Sequence, residues 1–427
     1  MIDLKRLRQD PEGSRRLLLR RRDPAVTATL DELLDYDRQR RELLVRVEGL
    51  KAERNSATED VARRKRAGEP AEELMARLRT SGDEVKALDA RLREIDAELD
   101  RRALALPNFV LDDVPEGDAS ANTVLRTWGR TPTFDFPPRP HWELAADLGI
   151  LDLPAGAALA GSGFPLYRGL GARLIRALAA FMLDLHTREH GYLEIAPPYL
   201  VNRASLTGTG QLPKFEEDLY ATPADDLFLI PTAEVPVTNL LRDRILDAAQ
   251  LPLGYTAYTP CWRREAGAHG KDTRGLIRVH QFDKVELVRF ARPEESLAEH
   301  ERMTGHAEAV LQRLEIPYRV LALASGDTGF ASARTYDLEV WAAGVGTWLE
   351  ASSSSLFTDF QARRANIRFR PSPKARPEFV HTLNASGVAF PRTIIALLEN
   401  NQAADGSVRV PEALVPYLGV ERLAPGA

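Results

Sequence analysis

The run CWRREAGAHGKDTRGLIRVHQFDKVEL, residues 261–287, holds the densest set of chemistry-bearing side chains in this 427-residue chain. It reads as a strand ending in Arg263-Arg264-Glu265, a glycine-rich basic loop, and a second strand carrying Phe282, Lys284 and Glu286. Side chains alternate across a strand, so Arg263 and Glu265 share one face, and Phe282, Lys284 and Glu286 share one face. That face would offer a guanidinium, two carboxylates and an aromatic ring. The inventory suits a nucleotide: guanidinium for phosphate, ring for adenine, carboxylate for an amine or hydroxyl. It equally suits a cross-strand, salt-bridged surface. Spacing alone leaves both open.

Around this run, further strands are expected over residues 193–195, 227–230, 336–341, 347–352 and 378–383. Helices are expected over 172–186 and from Thr393. Strands that cluster between loops, without strict alternation with helices, imply a mostly antiparallel sheet flanked by helices. Residues 107–140 are rich in Pro, Asp, Gly and Thr and read as a linker. The chain has no GxxxxGK[ST] and no GxGxxG following a strand, so any nucleotide here is held by arginines rather than a glycine loop.

The first 106 residues read as helix. One apolar seam runs Leu33, Tyr36, Arg40, Leu43, Val47, Leu50, Arg54, Ala57, Val61. A second runs Leu74, Leu78, Ser81, Val85, Leu88, Leu92, Ile95, Leu99, Arg102. Steps of three and four alternate throughout, which is the heptad signature of a coiled coil over about residues 30–103. Between the seams, Gly68 ends one helix and Pro70 suits the first turn of the next. The expectation is an antiparallel hairpin arm with a basic cluster, Arg63, Arg64, Lys65 and Arg66, near its tip. Such an arm serves equally as a dimerisation spacer or as an RNA-touching element. The division is therefore an α+β chain: helical arm 1–106, linker 107–140, sheet domain 141–427.

Formal net charge is −5, which does not advertise a nucleic-acid binder. Residues 1–110, however, carry 25 Lys and Arg against 23 Asp and Glu, a local +2, and leave −7 for the rest. Phosphate contact depends on the local field rather than the total. No run of 18 apolar residues exists and the N-terminal MIDLKRLRQD lacks an apolar signal core, so a cytoplasmic chain without a membrane span is expected. The lone Cys261 excludes an internal disulfide and a cysteine-rich zinc site. His186 and His190 are spaced i, i+4, but no HExxH glutamate accompanies them, and no zinc is expected.

The 261–287 run closely resembles motif 2 of class II aminoacyl-tRNA synthetases, in its seryl form. Other segments resemble that family in colinear order. Residues 207–215 (TGTGQLPKF) and 231–234 (PTAE) are similar to its serine-site segments, and 191–206 to the motif 1 dimer element. Glu350-Ala351-Ser352-Ser353 and residues 359–364 (DFQARR) are similar to its metal and ATP segment, and 381–402 to motif 3. The helical hairpin falls where the family carries its tRNA-binding arm.

The resemblance implies a homodimer that activates L-serine with ATP and Mg²⁺ and transfers it to serine tRNA. It implies that Arg263 bridges the α-phosphate and the serine carboxylate. Arg264, Glu265, Val279 and Phe282 would line the adenine side, with Arg392 stacked over the base and reaching the γ-phosphate. Glu350 and Ser353 would hold magnesium, with Ala351 and Ser352 beside them. Thr232 and Glu234 would hold the α-amino group, and Glu286, Ser386 and the supporting Asn384 the hydroxyl. Four positions depart from the family pattern: Ala385, Pro391, Leu356 and Gly163. Ala385 adds a methyl expected to narrow the serine pocket. Two alternatives stay open: an RNA-binding relative with impaired catalysis, and a ligase that delivers an amino acid to a carrier protein.

Overall fold

The computed structural model describes residues 1–267 and 274–425, so the tip of the basic loop, residues 268–273, lies outside the described residues. Contacts divide the chain into two units. One comprises Ile2–Leu19 with Asp23–Pro107, the other Asn108–Ala427 with Met1 and Arg20–Arg22.

In the first unit two long helices, Ala25–Ala67 and Glu72–Ala105, form the hairpin. At about 1.5 Å per residue they are roughly 50–65 Å long. Gly68 ends the first helix in the left-handed region, φ +71°, where its N–H reaches the carbonyls of Arg64 and Lys65. Pro70 lies just ahead of the second helix, not in its first turn. The seams are buried as their spacing requires: Leu33, Val47, Val85, Ile95 and Leu99 are the most enclosed. Pairs Glu32–Arg102 (2.8 Å), Arg40–Asp96 (2.6 Å) and Lys51–Asp89 (3.2 Å) run in opposite order on the two helices, which fixes the antiparallel sense. Arg40, which interrupts the seam, is thus a cross-helix ion-pair partner. Arg54 is exposed.

The second unit is built on one eight-stranded sheet. Its strands in chain order are β1 (Thr123–Trp128), β2 (Leu193–Glu194), β3 (Leu253–Trp262), β4 (Gln281–Ala291), β5 (Tyr318–Ala322), β6 (Arg334–Ala342), β7 (Thr347–Thr358) and β8 (His381–Ala389). Their spatial order is β1-β5-β6-β7-β8-β4-β3-β2, and every pairing except the last, β3 with β2, is antiparallel. The strand expected over 347–352 runs on to Thr358, and the one expected over 378–383 divides into Glu378–Phe379 and β8. β1 lies inside the stretch read as a linker. All six of its residues are exposed, so it has no buried face to generate an alternating pattern.

Packing differs between the two faces. Even-numbered side chains of β4, such as Val288 and Phe290, pack with Val237, Ala362 and Ala365 of the short helices Glu234–Asn239 and Phe360–Ala365, and with Ala233 just ahead of the first. On the other face Leu287, Leu356, Leu383 and Ala385 pack around Met303 of helix Ser296–Arg313. Helices Leu170–Arg188 and Phe390–Asn400 contribute to the largest cluster, with Leu178, Met182, Ile395 and Leu398 at its centre. No helix among the described residues is long and apolar enough to cross a membrane.

Candidate active site

The short-helix face of the sheet carries a cavity of about 660 Å³. Its wall includes Thr232, Glu234, Arg263, Glu265, Val279, Phe282, Glu350, Ala351, Ser353, Asn384, Ser386 and Arg392. β3 ends at Trp262, so Arg263 and Glu265 stand beyond the strand rather than on it, yet both reach the cavity. Arg263 N–H still pairs with the His280 carbonyl (2.9 Å), which keeps its side chain over the sheet. Its Nε donates to the Pro231 carbonyl (3.2 Å), and its guanidinium lies 5.2 Å from the centre of the Phe282 ring. Glu265 turns in the left-handed region, φ +51°, and its carboxylate pairs with Arg278 (2.8 Å).

Burial concentrates charge at the inner end. Glu286 and Lys284 are almost fully enclosed and form an ion pair. Lys284 Nζ also donates to Thr232 Oγ1 (2.9 Å), and Asn384 Nδ2 donates to Glu286 Oε1 (3.1 Å). Desolvation pushes the Glu286 carboxyl up, against the pull of Lys284 and Arg263. Glu234 is likewise buried. Desolvation first, then the Glu286 charge, raises its carboxyl to about 7, while Gln361, Lys284 and Arg263 oppose the rise. A buried carboxylate rarely persists without a cation. Here two carboxylates share one ammonium and one guanidinium, which leaves the pocket suited to a ligand that brings its own positive charge. An ammonium beside a carboxylate and a hydroxyl is such a ligand.

Glu350 and Ser353 are three residues apart on β7, a spacing that places side chains on opposite faces of a regular strand. The pairing slips between Leu338–Ser352 and Glu339–Glu350, so Ala351 is an extra, bulged residue. A bulge of one residue reverses the parity. Glu350 and Ser353 therefore both face the cavity, while Ser352 turns away and donates to the Ser386 carbonyl (2.6 Å). Arg392, in the first turn of helix Phe390–Asn400, donates to the carbonyls of Glu350 (2.6 Å) and Ile277 (3.3 Å) and sits 3.4 Å from the Glu350 carboxylate. Glu350 is half-exposed and Ser353 donates to Asp337. A carboxylate and a hydroxyl at the open end of a cavity fit magnesium, which takes few protein oxygens and completes its shell with water and phosphate. Among the described residues no group of three or more His, Cys, Asp or Glu is placed to hold a metal without other ligands.

Of the residues anticipated for the active site, three are not in the cavity wall. Ser352 is buried on the far side of β7, Arg264 lines a separate cavity with Arg203, Glu216 and His280, and Glu286 lies beneath the floor, reached through Lys284 and Asn384. Lys284, Gln361 and Arg278 also belong to the site, and their residue types and spacing in the sequence assign them no role. Only the folded contacts of Lys284, an ion pair with Glu286 and a bond to Thr232, reveal its part. The departures also find places. Ala385 points to the opposite face, among Leu287, Met303, Leu356 and Leu383, so its methyl does not narrow the pocket. Leu356, the second departure, fills the same cluster. Gly163 adopts φ +84° with the His280 ring 2.5 Å from where a Cβ would stand. Pro391 occupies the first turn of its helix, where no intrahelical donor is needed.

An antiparallel sheet with arginines, not a glycine loop, over a nucleotide-sized cavity defines a class II aminoacyl-tRNA synthetase core. Residues 214–401 match the family described as "tRNA synthetase class II core domain (G, H, P, S and T)", and residues 1–110 match "Seryl-tRNA synthetase N-terminal domain". The serine–tRNA ligase of Gemmatimonas aurantiaca is 58% identical over 92% of this chain and 93% of its own. That of Desulfitobacterium hafniense is 54% identical over 99% of each. The crystal structure of seryl-tRNA synthetase from Pyrococcus horikoshii complexed with ATP superposes with a TM-score of 0.95, at 37% identity and over 100% of both chains. The chain belongs to the seryl-tRNA synthetase family, enzymes that join serine to its tRNA at the expense of ATP.

Proposed function

We propose that the cavity performs both half-reactions with the following division of labour. The serine carboxylate attacks the α-phosphorus of ATP, the bond to the bridging β-oxygen breaks, and pyrophosphate leaves. The terminal ribose hydroxyl of serine tRNA then attacks the activated carbonyl and AMP leaves. Arg263 spans the α-phosphate and the serine carboxylate, two anions that repel until a cation is held between them. Phe282 stacks under adenine and Arg392 over it. Glu265 and the backbone at Val279 read the base edge. Glu350 and Ser353 would hold the magnesium ion that accompanies ATP and, when bound, supplies positive charge to the phosphate oxygens.

Glu234 and Thr232 take the α-amino group. Glu286, Asn384 and Ser386 take the hydroxyl. Alanine lacks that hydroxyl, so it would leave buried polar groups unpaired and be rejected. The observation that carries this reading is a pair of buried carboxylates, Glu234 in the wall of the cavity and Glu286 just beneath its floor and paired with Lys284, in a site that also holds Arg263 and Arg392.

The hairpin is proposed as the tRNA arm, with the exposed Arg63, Arg64, Lys65 and Arg66 adding phosphate contacts. A cytoplasmic homodimer joined near β2 is proposed. Leu193, Tyr199 and Leu200 leave apolar surface exposed there. Amino-acid-dependent exchange of labelled pyrophosphate into ATP, run with serine, alanine, threonine and glycine, tests the active-site reading. Exchange with serine alone is expected. Equal exchange with alanine would remove Glu286 and Ser386 from hydroxyl recognition.

A further inference from the structure

One buried side chain beside the serine pocket is neutral, has every polar atom satisfied, and points at a carboxylate. Gln361, in the short helix Phe360–Ala365, is fully enclosed. Its Nε2 donates to Glu234 Oε1 (2.6 Å) and to the Thr209 carbonyl (3.1 Å). Its Oε1 accepts from the buried Thr382 hydroxyl (2.7 Å). A backbone carbonyl can only accept, so the end of the amide that faces Thr209 must be the NH₂. The Thr382 hydroxyl then completes the opposite end. Two neighbours therefore lock the orientation of the amide, and what it presents to Glu234 is a donor with no acceptor alternative.

We infer that Gln361 is a positioning residue for serine: its locked amide favours the anionic form of the Glu234 carboxylate and aims it at the α-amino group. This rests on the assignment of Glu234 to that group. A fixed donor favours the charged form of a carboxyl. The opposing influences come from other elements. β4 presents Glu286, whose charge disfavours a second anion, and Lys284, which favours one. Arg263, just past β3, also favours it. Arg203, in the helix Arg203–Thr209 that packs against the Glu234 helix, is committed to Glu216 and Asp226. Arg363 and Arg364, beside Gln361, hold Asp359 and the carbonyls of Thr207 and Leu212. Gln361 is thus the neutral group that tips the balance at Glu234 without adding a charge that would compete with the serine ammonium.

The test is serine-dependent pyrophosphate exchange by the full-length enzyme, unsubstituted and as Gln361→Leu, from about pH 6.5 to about pH 8.5. At pH 7 the variant should raise KM for serine by about ten- to a hundredfold, the scale of a hydrogen bond to a charged group. KM for ATP and kcat should stay within about threefold. The serine penalty should shrink as pH rises, because alkali restores the carboxylate that the amide no longer favours. Thr382→Val, which frees one end of the amide but keeps it in place, should shift KM for serine the same way by less, and covers a Gln361→Leu chain that fails to fold. A penalty of equal size at every pH, or one shared equally by serine and ATP, overturns the proposal and leaves the assignment of Glu234 standing. An unsubstituted enzyme that shows no serine-dependent exchange overturns that assignment and this proposal with it.

Discussion

Glu234 is disfavoured by the fold that houses it, and replacing it with Gln should separate stability from function. In the ligand-free enzyme burial and the nearby Glu286 charge raise its carboxyl from the ordinary 4.5 to about 7. At about 1.36 kcal/mol for each pH unit, holding it ionised above neutrality reduces folding stability by about 3 kcal/mol. The sign follows from the proton count. Between pH 4.5 and about 7 the folded chain keeps a proton that the unfolded chain has lost, so stability falls as pH rises through that window and is flat on either side of it. Glutamine has the same shape, still offers an oxygen to Gln361 Nε2, and has no proton to lose. Glu234→Gln should therefore match the parent near pH 4.5 and exceed it by about 3 kcal/mol at pH 8. Denaturant unfolding of both proteins, followed by fluorescence of the five tryptophans at pH 5, 6, 7 and 8, reads this difference. The same variant should lose serine-dependent exchange, because an amide cannot neutralise an ammonium. A difference that does not grow with pH, or a variant less stable than the parent at pH 8, would refute the reasoning. So would a variant that gains stability and keeps its KM for serine.

Ala385→Gly should lower stability by about 1–2 kcal/mol through the lost methyl and the looser strand, with KM for serine unchanged; a drop in that KM would mean that the methyl does reach the pocket. Glu350→Gln should raise KM for ATP and shift the magnesium titration of exchange to about tenfold higher concentration, while KM for serine holds; an unaltered magnesium profile would remove Glu350 as a ligand. Changing Arg63, Arg64, Lys65 and Arg66 together to Ser should weaken tRNA binding and flatten its salt dependence by up to about four in slope, with pyrophosphate exchange intact; an unchanged tRNA affinity would exclude the cluster.

How much of this was legible in sequence depends on whether a residue obeys the period of its element. The hairpin was legible because its seams keep a strict three-four alternation for about eight turns, and burial at Leu33, Val47, Val85 and Ile95 follows it. β1 was not, because a strand exposed on every residue carries no alternation to detect. Ala385 was misread for a related reason. Its position next to Ser386 in sequence suggested the pocket, whereas alternation puts neighbours on opposite faces of the sheet.

The site itself was legible as an inventory and not as a geometry. Arg263, Glu234, Glu286, Glu350 and Arg392 could each be named from their segments, but the relation among them depends on two breaks in regularity. The bulge at Ala351 brings Glu350 and Ser353 to one face, and the second slip, between Ser386 and Ala389 on β8, keeps Ser386 opposite Glu286 while releasing the chain into the Arg392 helix. Such slips leave no mark in residue type. Beside the slips, ordinary alternation divides the runs Ser352 to Ser355 and Asn384 to Ser386 between cavity and core. Alternation lets adjacent residues serve the site and the packing at once, and a local break in parity decides which of them face the cavity. The charge balance among Lys284, Glu234 and Glu286 is a property of two separate segments, β4 and the helix Glu234–Asn239, that only the fold brings together.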